Sequence, residues 1–158
     1  MEIILVIIPL LAGAGISIQS GMNGSLGNKI GTLASAYLSF FTGSIFLTIV
    51  VFLFGSGGIF KISEVPFWQL LCALLGLYVV YVMAFSVPVI GVATTTTTVI
   101  IGQLTASMAI DHFGWFASEM TPFSLKRFIG VVFMIGALYF VYKEEAGYKN
   151  HVKLKKEG

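Results

Sequence analysis

Charge is what this sequence has least of. Only 10% of its 158 residues are Asp, Glu, Lys or Arg, and 57% are hydrophobic. A soluble domain carries about a quarter charged residues, so most of this surface is not made for water. Between Met1 and Tyr142 the charged side chains are Glu2, Lys29, Lys61, Glu64, Asp111, Glu119, Lys126 and Arg127, joined by His112. Cysteine is nearly missing too. Cys72 is alone, which rules out an intrachain disulfide. A basic n-region is absent, since Glu2 stands in its place, so the first apolar run is expected to be a retained helix. No basic face of a folded domain exists, which argues against a nucleic-acid partner. No metal-ligand cluster, nucleophile–base arrangement or phosphate loop can be picked out. Gly55-Ser-Gly-Gly lacks the lysine and following helix that a phosphate site needs. No catalytic residue, metal or cofactor is therefore expected, and enzyme activity is not. No carboxylate lies deep in an apolar run, although proton-coupled transporters typically use one.

What is present is a series of apolar stretches, each close to the roughly 20 residues that a bilayer-crossing helix needs. Five are read, at about 3–22, 32–54, 66–87, 91–110 and 124–142. The fold class expected is all-α: a polytopic membrane protein of five helices over residues 1–143, followed by a basic polar tail at 144–158. The first segment ends in the Gly/Asn-rich stretch from Gly21 to Asn28, and the second at Gly55. Pro88 and Gly91 argue against one long helix from Val65 to Ile110, because proline removes a donor and restricts its predecessor. Trp68 and Trp115 anchor one membrane face, Tyr139 and Tyr142 the other.

An odd number of spans places the termini on opposite sides. Lys61, Lys126 and Arg127 share the N-terminal side; Lys29, Lys143 and the tail lysines (Lys149, Lys153, Lys155, Lys156) share the other. Without the tail the count is close to even. Near-balance permits insertion both ways, the precondition for an antiparallel dimer; with the tail counted, a single orientation with the C-terminus inside is the alternative.

Some residues do not belong against lipid. Gly13, Ser17, Gly21 and Ser25 form a small-residue ridge on which another helix can pack. On a different face, Gln19 and Asn23 sit one turn apart and should meet protein or a water-filled cavity. Interhelical glue and a substrate site both remain open for them. Ser35, Ser39 and Thr42 read as ordinary packing hydroxyls. Tyr78 and Tyr81, three residues apart, are neighbours near mid-membrane and could offer aromatic faces to a solute. The fourth segment opens on Thr94-Thr-Thr-Thr-Thr98 and continues as a polar stripe through Thr96, Gln103 and Ser107 to Asp111. A threonine run beside a Pro/Gly break is like the interrupted helices that line transport sites, and the cavity reading is preferred. Asp111 at a helix end and Arg127 at the next helix start both oppose their helix dipoles. Pairing them would reconcile the two and clamp the connecting loop, a structural or gating role.

The pieces Gln19…Asn23-Gly-Ser-Leu26, Ser39-Phe-Phe-Thr-Gly43, Gly76-Leu-Tyr78, Pro88-Val-Ile-Gly91, Gly102-Gln103, Asp111-His-Phe-Gly114, Lys126-Arg127-Phe-Ile-Gly130 and Gly136 together resemble the YdcZ-type family. That family is a small five-helix branch of the drug/metabolite transporter superfamily in prokaryotic inner membranes. The resemblance spans nearly everything before the basic tail. Larger members of the superfamily have ten helices in two inverted halves with substrate between them, so a five-helix chain looks like one half. It would need an oppositely oriented partner, either a second copy or a related half-length protein. By the same resemblance, segments one, three and four would line the cavity, which selects Gln19, Asn23, Tyr78, Tyr81, Thr96 and Gln103. The expectation is a multi-pass inner-membrane transporter of a small organic solute, working as an antiparallel dimer. An accessory subunit without transport and a passive channel are the alternatives.

Overall fold

The computed structural model describes residues 2–55, 58–117, 121 and 124–157, with the side chains of 2–4, 59–61, 117 and 150–157 left out. Glu119 and the side chains of Glu2, Lys61, Lys153, Lys155 and Lys156 lie outside these. The described chain is helical, without strands: α1 Glu2–Ile30, α2 Thr32–Phe54, α3 Phe67–Leu70, α4 Cys72–Ile90, α5 Val92–Phe113 and α6 Leu125–Glu157, with 3₁₀ turns at Ile59–Glu64 and Trp115–Ala117. Four stretches are long and apolar enough to cross a membrane: Leu5–Ile30, Thr32–Phe54, Phe67–Ile90 and Leu125–Lys149. The expected span at 91–110 is helical over Val92–Phe113, which is long enough, but it falls short in apolar character. The threonine run, Gln103, Thr105, Ser107 and Asp111 lower its hydropathy.

Three boundaries differ from the sequence expectation. Helix α1 continues through the Gly/Asn-rich stretch to Ile30. Pro88 lies inside α4, and the break falls at Gly91. Helix α6 runs on through the basic tail, so residues after 142 prolong the last helix. The two sharp breaks are single glycines, Gly31 (φ +93°) and Gly91 (φ +86°). Both adopt a backbone region closed to side chains with a Cβ.

The chain forms two compact units, Met1–Pro88 and Val89–Gly158. In the first, α1 and α2 form a hairpin closed at Gly31, where the Gly31 N–H donates to Gly27 O (2.9 Å) and the Ser35 N–H to Gly31 O (3.0 Å). Small residues let the backbones approach: a Cβ on Gly24 would lie 2.6 Å from Val87 Cγ1, and one on Gly27 would lie 3.4 Å from Thr32 Cα. Ala36, Met83, Ala84 and Val87 are buried with Ser20, Asn23 and Ser35 around this seam. In the second unit, α5 and α6 pack together. Helix α5 ends on Gly114 in the left-handed conformation, its N–H bonded to Ile110 O. Elsewhere the apolar side chains point outward; at most 17% of any candidate span is buried. In water that surface would be prohibitive, whereas lipid or another protein covers it without penalty.

Candidate functional site

Several hydroxyls within the helices are satisfied locally. Ser17 donates to Gly13 O, Thr42 to Leu38 O, Thr48 to Ser44 O, Thr98 to Thr94 O and Thr105 to Ile101 O, each four residues back. Such back-bonding lets a hydroxyl lie in hydrocarbon without an outside partner. A carboxamide cannot satisfy itself this way, because it has two donors and an acceptor to place.

The four amide and aromatic positions of the first unit separate accordingly. Asn23 is buried in the α1–α2 seam: its backbone carbonyl accepts from Ser35 Oγ (2.8 Å) and its Oδ1 accepts from Ser39 Oγ (2.5 Å). Gln19, one turn earlier and near the middle of Leu5–Ile30, is exposed and makes no side-chain hydrogen bond among the described residues. Tyr78 and Tyr81 are likewise exposed, 65% and 39%. Of the ridge of Gly13, Ser17 and Gly21, Gly13 has open space where a Cβ would lie and Gly21 borders the groove between α1 and α2, while the close approach of backbones falls on Gly24 and Gly27. Between α1 and α2 runs an open groove of about 730 Å³, lined by Asn23, Ser25, Lys29, Ser39 and Thr42 with Met22, Leu26 and Leu38. Ser39 and Thr42, read from sequence as packing hydroxyls, thus line this groove as well. The signal was the spacing of Ser35, Ser39 and Thr42, four and then three residues apart, on the side that α1 faces.

In the second unit, Gln103 lies at the middle of α5, exposed and without a hydrogen bond among the described residues. Thr96 is half-buried, and its hydroxyl, like those of Thr95 and of Ser20 in the first unit, is buried without a partner among the described residues. The structure brings Asp111 and Arg127 together: Arg127 Nη1 donates to Asp111 Oδ2 at 3.1 Å. That contact ties the C-terminal end of α5 to the first turn of α6, and both side chains remain partly exposed. At the opposite end of the same helix pair, Thr94 Oγ1 donates to Glu145 Oε2 (2.5 Å), and Lys149 Nζ donates to Val89 O (2.6 Å). From sequence Lys149 was read only as a tail lysine, and Glu145 was given no role. The available signal was their opposite charge at i, i+4, at the end of the last candidate span and on the same side as the Pro88–Gly91 break.

Residues 4–140 match the family model described as "Putative inner membrane exporter, YdcZ". The chain belongs to the YdcZ family. No curated protein and no solved structure matches it. The YdcZ match takes in nearly all of α1, then α2 to α5 and α6 as far as Phe140, including Gln19, Asn23, Gln103, Asp111 and Arg127; it stops before Glu145 and Lys149. The family description is that of an inner-membrane exporter, which agrees with the apolar helices. Among the described residues no group of three His, Cys, Asp or Glu could hold a metal ion.

Proposed function

We propose that this YdcZ-family chain is one half of a transporter for a small organic solute, crossing the membrane five times and working as an antiparallel dimer. The solute is held near the midplane between protomers. The observation that carries this reading is the pair of mid-span carboxamides. Gln19 and Gln103 lie near the centres of their helices, exposed and unpartnered among the described residues, while Ser17, Thr105 and Ser107 nearby bond back to their own helix. An amide left bare in hydrocarbon costs several kcal/mol, so each calls for a solute, a water-filled path or a second copy. Tyr78, Tyr81 and Thr96 join them as cavity candidates, and Asn23 acts mainly through the groove it lines.

The length of the α5–α6 pair supports α5 as the fifth span despite its threonines. Thr94 and Asp111, each bonded to α6, are roughly 17 residues apart, or ~26 Å at 1.5 Å per residue. This is close to the hydrocarbon thickness of about 30 Å, so the polar contacts would sit at the two membrane surfaces. The partner is a second inverted copy or a related half-length chain.

The test uses single cysteines on a Cys72→Ser background, one replacing Gly58 and one replacing Glu144, probed with membrane-impermeant maleimide from each side. Labelling of each position from both sides, in comparable fractions, is expected. One-sided labelling, with no oppositely oriented relative in the membrane, would sink the dimer. Solute counterflow in proteoliposomes then separates the rivals. Gln19→Leu and Gln103→Leu should lower exchange at least tenfold. Unchanged exchange with loosened assembly would favour an accessory subunit, and flux without trans-stimulation a passive channel.

A further inference from the structure

The break between α4 and α5 is held by the prolongation of α6. Gly91 is the only residue between the two helices, and its positive φ turns the chain there. Beyond it, the first-turn N–H groups of α5 lack intrahelical partners and carry the positive end of the helix dipole; before it, the last carbonyls of α4 carry the negative end. The α6 prolongation answers both. Glu145, half-buried, accepts from Thr94 in the first turn of α5 and packs so tightly on Gly91 that any Cβ there would overlap its carboxylate. One turn along α6, Lys149 donates to Val89 O. The acid meets the N-terminus and the base meets the carbonyl, the arrangement that the dipoles favour.

A second observation shows that this closed arrangement is not free of strain. Thr95, 3% exposed, and Thr96 have hydroxyls buried without partners among the described residues, although Thr98 in the same run bonds back to Thr94 O. Each such orphan disfavours the state that buries it, and water entering the run would satisfy it. The closed break therefore opposes two unpaired hydroxyls with two charge-assisted contacts, both from residues past the end of the YdcZ match.

We propose that Glu145 and Lys149 form a latch that seals the threonine run at the start of α5, and that their release opens the run to water from the tail's side of the membrane. The latch is a property of this chain's α6 prolongation. It needs neither a solute nor an antiparallel partner.

Its test is the labelling rate of a single cysteine in place of Thr95, on a Cys72→Ser background, in proteoliposomes with impermeant maleimide on both sides and no solute added. A cysteine replacing Phe113, at the far end of α5, is the control. The decisive variant is the swap E145K/K149E, which keeps net charge and an i, i+4 pair but reverses the signs at the break. E145Q and T94V each remove one contact. Labelling at position 95 should be slow in the parent, about tenfold faster in the swap, and raised to a lesser degree in E145Q and T94V, with position 113 unchanged. Equal rates at position 95 in the parent and the swap would overturn the latch. So would a parallel rise at position 113, which would mark general loosening of the helix pair. Because solute is absent and both faces are labelled, failure here leaves the transport reading standing, and failure of transport leaves the latch standing.

Discussion

The two units of the chain are held together by different physics. In Met1–Pro88 the contacts are close and mainly neutral: Gly24 against Val87, Gly27 beside Thr32 and Ser35, and Ser39 bonded to Asn23. In Val89–Gly158 the helix pair is fastened at both ends by charged side chains, Arg127 with Asp111 and Glu145 with Thr94. Where helices meet within lipid, hydrophobic burial offers no net drive, so association rests on packing and short hydrogen bonds. Where they end near water, charge can act at little desolvation cost but is screened and weak. The first unit should thus be sensitive to volume and indifferent to salt, the second the reverse.

The largest effect should come from Gly24→Leu. Its Cβ would already crowd Val87, and overpacking of this kind destabilises by about 3 kcal/mol. Unfolding in mixed SDS and mild detergent, followed by circular dichroism, would measure it, with Gly136→Ala as the companion. Gly136 has nothing within 4 Å, so that change should alter stability by less than about 0.5 kcal/mol. If both glycines respond alike, the seam has no special standing. Next in size is Asn23→Ala, which leaves Ser39 without its acceptor and should cost about 1 kcal/mol in the same assay. A cost that vanishes on a Ser39→Ala background would locate it in that bond. Smallest is Arg127→Gln. With the pair partly exposed, the loss should stay below about 1 kcal/mol and shrink further in high salt. A large salt-insensitive loss would place the pair in a drier setting and erase the contrast between the units.

The sequence was most readable where composition acts alone. Long apolar runs announced helices, and the pair Pro88 and Gly91 announced an interruption, because lipid permits few alternatives to a helix. It misled where tertiary contact overrides local preference. Gly21 to Asn28 looks like a loop, yet α1 passes through it, since Asn23 turns inward to Ser39 and Gly24 and Gly27 supply the space that the seam requires. No local signal distinguishes a glycine that frees the backbone from one that makes room. The α5 helix was legible as an element, but its threonines blur the hydropathy by which spans are counted. Of the proposed site, the exposed amides Gln19 and Gln103 could be named from residue type and spacing. Glu145 and Lys149 could not, because their partners lie some 50 to 60 positions back in the chain.

The one-residue connections at Gly31 and Gly91 have a consequence for how the protein is made and attacked. On the five-span reading both fall on the tail's side of the membrane, where they leave almost no polypeptide outside a helix. A protease reaching that side would find no loop to cut, only the prolonged α6. For the insertion machinery, the α1–α2 hairpin presents no hydrophilic stretch to translocate between its helices, so the pair can enter as a unit. With so little loop to read, Lys29 and the α6 lysines are the residues through which that side can bias orientation. Neutralising them should tip the proportion of copies facing each way.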